Sequence, residues 1–211
     1  MVSLRFHRDK LAKTVVKREI TMEDNFVTIV SGLPRSGTSM MMQAVHAGGM
    51  AAVTDNIRKS DGDNPRGYYE FEPVKKTKED PSWVQEATGK VVKMVYRLLY
   101  DLPADHEYRI IFMNRAIEEV LLSQKKMLER IGKKGAGIPD EKLSALFKSE
   151  LEKIYKWLDT QPNFSVISVN YRDAVESPLA QCGIVNDFLG GKLDTDKMAS
   201  AIDPTLYRNR K

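Results

Sequence analysis

Residues 27–39 read VTIVSGLPRSGTS, an apolar, β-branched run that breaks at Gly32 into a turn and restarts as a helix. No other stretch constrains the fold as much, because a buried strand must feed a tight glycine turn and then the first turn of a helix. The amides of such a turn, aided by the positive end of the helix dipole, hold a phosphate or sulfate without a buried neutralising side chain. The candidate anion-binding residues are therefore Pro34, Arg35, Ser36, Gly37, Thr38 and Ser39. The spacing G-x-x-x-x-G fits Gly32 and Gly37, but nucleoside-triphosphate loops of that spacing continue with Lys and then Ser or Thr. Here Thr38 and Ser39 follow, and the nearby cation, Arg35, sits inside the turn.

Hydrophobic patterning predicts strands over 26–31, 91–95, 109–113 and 164–169, with 50–53 as a short additional candidate. Helices are expected over about 37–47, 115–131 and 140–158, separated by a polar loop at 54–66 and a glycine-rich break, GKKGAG, at 132–137. Strands that are apolar on both faces and alternate with helical patterns predict an α/β fold. The expected form is a P-loop-type parallel β-sheet of four to five strands flanked by helices, with ligands beyond the carboxyl ends of the strands. With 211 residues and 42% hydrophobic content the chain supports one core, so 25–211 is expected to form a single domain after a charged arm or helix at 1–24.

Thirty-three Lys and Arg against twenty-nine Asp and Glu leave a formal charge of +4, which suits an anionic ligand but lacks the dense basic blocks of a nucleic-acid binder. The sole cysteine, Cys182, precludes an intrachain disulfide and reads as a small buried hydrophobe in a reducing compartment. The first residues lack the apolar core of a signal peptide, and no stretch approaches the roughly 20 apolar residues of a membrane span. These features predict a cytoplasmic protein with neither a membrane nor a nucleic-acid partner.

A second motif follows the strand YRIIFMNR, which ends at Arg115; Ser123 comes eight residues later, a little over two helical turns on and roughly on the same side. A guanidinium at the helix start can curl toward that hydroxyl. PRSGTS together with this Arg and Ser resembles the sulfotransferases that use 3′-phosphoadenosine 5′-phosphosulfate (PAPS), with a loop like that of the tyrosylprotein branch. The resemblance implies that the first loop holds the 5′-phosphosulfate and that Arg115 and Ser123 hold the 3′-phosphate. It also places Lys93, in VVKMVY, near the transferring sulfonate, and Tyr171, in VNYRDAVESP, against the adenine. Arg35 would take the place of the loop cation, where a guanidinium suits a bidentate grip on phosphate oxygens. The implied activity is a transferase that moves a sulfonate from PAPS to a hydroxyl or amine of a small-molecule acceptor by in-line displacement, leaving adenosine 3′,5′-bisphosphate. No metal is expected, since a sulfonate carries one charge fewer than a phosphoryl group and can be managed by Lys, Arg and amide dipoles.

The chain also departs from that pattern. The cytosolic branch uses a His two residues after the strand Lys, and Val95 stands there. Of His7, His46 and His106, only His46 falls near the loop, on its helix. The candidate bases are instead Glu70 and Glu72 in GYYEFE, which share a side of an extended segment; the tyrosylprotein branch likewise uses a Glu after its first helix. Met40 replaces the aromatic residue that stacks on adenine, and residues 208–211 echo the family's C-terminal basic loop only in part. Two other readings stay open: a non-catalytic nucleotide-binding protein with a retained cofactor site, and a phosphotransferase on a degenerate P-loop. The second is disfavoured by the missing loop Lys and by Asn114 and Asn170, which close strands where a metal-holding Asp would be sought. The acceptor would be set by 54–66, the Tyr-rich segment and the glycine-rich break. At a length short for the family, its pocket is either open or completed by a second copy in a homodimer.

Overall fold

The computed structural model describes residues 25–55, 57, 67–133, 135 and 137–207. The expectations for 1–24, for the basic residues at 208–211 and for most of the polar loop lie outside these. Four parallel strands, β1 (Phe26–Gly32), β2 (Val91–Lys93), β3 (Glu107–Asn114) and β4 (Phe164–Asn170), form one sheet in the order β2-β1-β3-β4. The helices, in chain order, are α1 (Thr38–Ala47), α2 (Trp83–Glu86), α3 (Ile117–Arg130), α4 (Asp140–Leu158), α5 (Tyr171–Glu176), α6 (Pro178–Leu189) and α7 (Thr195–Ala201). Short 3₁₀ turns occupy Glu72–Lys76, Tyr96–Asp101 and Pro204–Leu206.

Every residue of β1 is buried, which is why its apolar run does not alternate: a parallel strand inside a two-sided sheet has no wet face. On one face Val30, Ile111 and Met113 meet Met41, Val45, Ala174, Val185 and Met198, so α1, α5, α6 and α7 cover it. On the other, Ile29, Ile110 and Phe112 meet Val84 and Trp83 of α2 and Ile154 and Leu158 of α4. The chain leaves β1 toward β2 on one side and leaves β3 toward β4 on the other. Connections that diverge in this way open a crevice beyond the carboxyl ends of the two inner strands, the usual ligand position in an open parallel sheet.

The structure corrects several boundaries. The expected 91–95 strand stops at Lys93; Met94 still donates its amide to Val30 O at 3.0 Å, and the backbone then turns into the Tyr96–Asp101 3₁₀ segment. The 50–53 candidate supplies a single bridge, Ala52 to Val91. The helix expected from 115 begins at Ile117, which leaves Arg115 in the turn between strand and helix. Helices α5, α6 and α7 follow β4 without having been foreseen, although local start signals are present. The Asn170 side chain accepts from the amides of Arg172 and Asp173, Pro178 opens α6, and the Asp194 side chain accepts from the Lys197 amide. Among the described residues no helix is long and apolar enough to cross a membrane.

Candidate functional site

The loop between β1 and α1 is held by backbone that only certain residues tolerate. Gly32 and Gly37 have φ of 147° and 102°, and Arg35 between them takes a left-handed φ of 71°. Ser36 N donates to Leu33 O at 3.1 Å, and the first amide to bond back along α1 is that of Met41, to Gly37 O at 3.1 Å. The amides of Thr38, Ser39 and Met40 therefore lie ahead of the first helical hydrogen bond. Ser36 is 1% exposed, and its hydroxyl has no hydrogen-bond partner among the described residues. An unsatisfied buried hydroxyl costs about 1–3 kcal/mol, which a ligand oxygen would recover. A Cβ at Gly32 would stand 2.6 Å from both Ser36 Oγ and Met113 O, so only glycine lets the loop pack this closely against β3. Pro34 is exposed at the loop tip, and Thr38 and Ser39 are half-buried.

Around the end of β3 the structure gathers Arg35, Gly37, Arg115, Ser123 and Tyr171 into one cluster. Arg35 Nε donates to Ser123 Oγ at 3.0 Å, and Arg115 Nη1 donates to the backbone carbonyl of Arg35 at 3.3 Å, so loop and helix α3 are cross-tied through both arginines. Arg115 gives its Nε to Glu119 Oε2 at 2.9 Å, one helical turn short of Ser123. The other carboxylate oxygen of Glu119 accepts from the Tyr207 hydroxyl at 2.7 Å. The guanidinium lies 4.3 Å over the Tyr171 ring and 5.5 Å from that of Tyr207, and the two rings meet edge to face. The Tyr171 ring also packs against Gly37. Beside this cluster opens a cavity of about 140 Å³ lined by Arg115, Ala116, Glu119, Asn170, Arg172 and Tyr207. Burial, and after it the neighbouring Glu119 carboxylate, pushes the Tyr207 phenol above its ordinary value. Glu119 and Tyr207 were missed in the sequence. The four-residue step from Arg115 to Glu119 is a readable signal for an ion pair on a helix; Tyr207 offers none, since its bond to Glu119 closes 88 residues of chain.

On the β2 side of the loop, Lys93 Nζ donates to the Tyr68 carbonyl and stands 3.6 Å from Glu70 Oε1, with both side chains largely buried. Glu72 goes elsewhere: it starts the exposed 3₁₀ turn and pairs with Lys75 at 2.5 Å. The two candidate carboxylates thus have different partners. The polar loop is pinned at both ends. Asp55 accepts from the amides of Ile57 at 3.0 Å and Glu72 at 2.6 Å, while the Asp55 amide and the Thr54 hydroxyl both donate to Glu70 O. The Ile57 amide foremost, then that of Glu72, hold the Asp55 carboxyl below the usual range. His46 Nδ1 lies 3.0 Å from Met50 O with its ring edge-on to Tyr69, and His106 sits at the amino end of the sheet between Asp105 and Gln85. Asn114 accepts from the Tyr155 hydroxyl at 2.8 Å, and Asn170 caps α5. Among the described residues no group of three or more His, Cys, Asp or Glu is placed to hold a metal ion.

No protein-family model and no curated protein matches the chain. Among solved structures it is similar to retinol dehydratase in complex with androsterone and inactive cofactor PAP, at 16% identity and a TM-score of 0.47, over 82% of this chain and 62% of that one. It is also similar to a sugar kinase from Janibacter sp., at 13% identity and a TM-score of 0.41, over 86% of this chain and 98% of the kinase. The chain thus spans 62% of the length of the retinol dehydratase chain. Likenesses this distant leave the function to be argued from the site.

Proposed function

We propose that the chain is a PAPS-dependent sulfotransferase acting on a hydroxyl or amine of a small-molecule acceptor. One observation carries this reading: the glycine loop with its orphaned Ser36 hydroxyl and the arginine cluster around Ser123 lie against each other and are tied together through Arg35. A ligand with two separated anionic groups satisfies both at once. The residues fit PAPS on these grounds, with cations at Arg35, Lys93 and Arg115 around a glycine loop whose Ser36 hydroxyl is orphaned.

When bound, PAPS would supply the activated sulfonate. The amides of Gly37, Thr38 and Ser39 would hold the phosphosulfate end together with Arg35 and Lys93, which also counter the charge that develops there. Arg115 and Ser123 would hold the 3′-phosphate, and Tyr171, fixed between Gly37 and Arg115, would wall the base. Glu70 would accept the acceptor's proton at its carboxylate. Its place beside Lys93 favours it over Glu72, whose partner is an exposed lysine on its own turn.

Thermal shift in metal-free buffer tests the reading, with adenosine 3′,5′-bisphosphate (PAP) compared with AMP, ADP and ATP at matched concentration. A ligand at about 100 times its dissociation constant stabilises by about 2.7 kcal/mol. Selective stabilisation by PAP that is lost in Arg115→Ala is expected. Absence of any preference for the 3′-phosphate would overturn it, and a preference for ATP that needs Mg²⁺ would favour a phosphotransferase. PAP binding with no sulfonate transfer to any acceptor would leave a non-catalytic nucleotide-binding protein.

A further inference from the structure

The cavity of about 140 Å³ beside the arginine cluster has a lining residue with no role above: Arg172, the second residue of α5. Its Nε lies 3.2 Å from Glu176 Oε1, one helical turn on, and the two side chains are 56% and 61% exposed. An ion pair this open to water contributes little, because solvent screens it and two long side chains must be ordered to make it. The guanidinium thus stands at the cavity with a partner that it can leave at small cost. Its charge reaches Tyr207, another lining residue: burial foremost, then Glu119, raises that phenol, and Arg172 acts against them. Asn170 lines the same cavity. Its Oδ1 accepts from the amides of Arg172 and Asp173 at 2.9 and 3.4 Å, so the donors of its carboxamide are the two hydrogens on Nδ2.

The lining carries two guanidiniums, Arg115 and Arg172, against one carboxylate, Glu119. That carboxylate already accepts from Arg115 Nε at 2.9 Å and from the Tyr207 hydroxyl at 2.7 Å. We propose that Arg172 is a further ligand-binding residue: its guanidinium turns from Glu176 to the 3′-phosphate assigned to Arg115, with Asn170 donating beside it. The role rests on the sulfotransferase reading. A guanidinium presents a planar fork of donors that matches phosphate oxygens, and hydrogen bonds between two charged groups are the strong ones. Arg172 supplies them from α5 and Arg115 from the turn after β3, so the phosphate is gripped from two elements. Arg115 keeps its bonds to Glu119 and to the Arg35 carbonyl throughout. Were Arg172 only the partner of Glu176, removing either member of the pair would have the same effect.

Calorimetric titration of PAP and AMP into the wild-type chain, Arg172→Ala, Arg172→Gln and Glu176→Ala decides between these. Both Arg172 variants are expected to bind PAP about tenfold more weakly, the scale of one lost charge-assisted hydrogen bond, with AMP changed by less than about twofold. Glu176→Ala, which removes the same ion pair and leaves the cation, is expected to bind PAP as tightly as wild type or more tightly. PAP affinity within about twofold of wild type in the Arg172 variants overturns the proposal. So does an AMP affinity that falls as far as that of PAP, which would place Arg172 away from the 3′-phosphate, and so does a loss in Glu176→Ala as large as that in Arg172→Ala. Should Arg172→Ala not fold, Arg172→Gln decides alone by the same criteria. A wild-type chain that binds PAP no better than AMP removes the sulfotransferase reading and this role with it, an outcome distinct from a PAP preference that survives loss of Arg172.

Discussion

A methyl group at Gly37 would have to share space with the Tyr171 ring, standing 2.9 Å from Cε2, at a φ of 102° where an L side chain is strained. The ring has little freedom to yield, because the Arg115 guanidinium lies 4.3 Å over it and the Tyr207 ring meets it edge-on. Gly37→Ala is therefore expected to destabilise the fold by about 1–3 kcal/mol, the usual cost of a strained backbone position. Urea denaturation reads this directly, and an unchanged midpoint would show that Tyr171 shifts without penalty. Cys182 behaves as its isolation in the sequence implies: it is buried, and desolvation pushes its thiol up to about 11. The residues of the candidate site divide by the distance in the chain over which they meet. Gly32, Gly37, Arg35 and Ser36 are legible because a strand, a glycine turn and a helix start follow one another within a few residues. Glu119 was legible only as an ion-pair spacing, and Tyr207 was hidden because nothing near it in the chain marks what it touches.

At the scale of elements, the segment 54–55 and the segment 70–72 form a clasp through Asp55, whose carboxylate receives the amides of Ile57 and Glu72. These bonds favour the ionised form, so the folded carboxyl titrates below its unfolded value of about 3.9. Its contribution is thus fully present above about pH 4 and is lost as pH falls through the lower folded value. Asp55→Asn is expected to lower the melting temperature at pH 7, with the gap to wild type narrowing below about pH 4 and closing only as pH falls through the lowered folded value. A gap independent of pH would mean that the clasp works by shape alone. The same scale shows why the amino-terminal half of the fold was readable and the carboxyl-terminal part was not. β1 and α1 are separated by a glycine turn and differ sharply in period, and α4 carries a long regular stripe. Helices α5 and α6 are joined directly at Ser177, with Pro178 in the first turn, so capping residues rather than periodicity mark where one ends and the next begins. β2 ended early because the 3₁₀ segment at Tyr96–Asp101, itself apolar at Tyr96 and Leu99, prolongs the hydrophobic run past the last ladder position.

For the whole molecule, burial raises the phenols of Tyr108, Tyr155 and Tyr207 above their ordinary value. The unfolded chain would release these protons from about pH 10 upward while the folded one still held them, so stability is full below that point and falls as pH rises beyond it. Melting temperature is expected to decline steeply between about pH 9.5 and 11.5, and less so in Tyr155→Phe, which removes one of the titrating groups. A flat profile over that range would show that the phenols ionise without unfolding. The sheet order also has a consequence for any occupant of the crevice. Lys93 ends β2 and Arg115 follows β3, with β1 between them, and hydrogen-bonded strands stand about 4.8 Å apart, so their backbones are at least about 10 Å apart. That interval is written in the backbone ladder, the part of the molecule that side-chain replacement leaves alone. The crevice is in this sense a gauge: Lys93 lies level with Ile111, four residues before Arg115, so both the lateral and the lengthwise parts of their spacing are set by the ladder, whatever side chains line it.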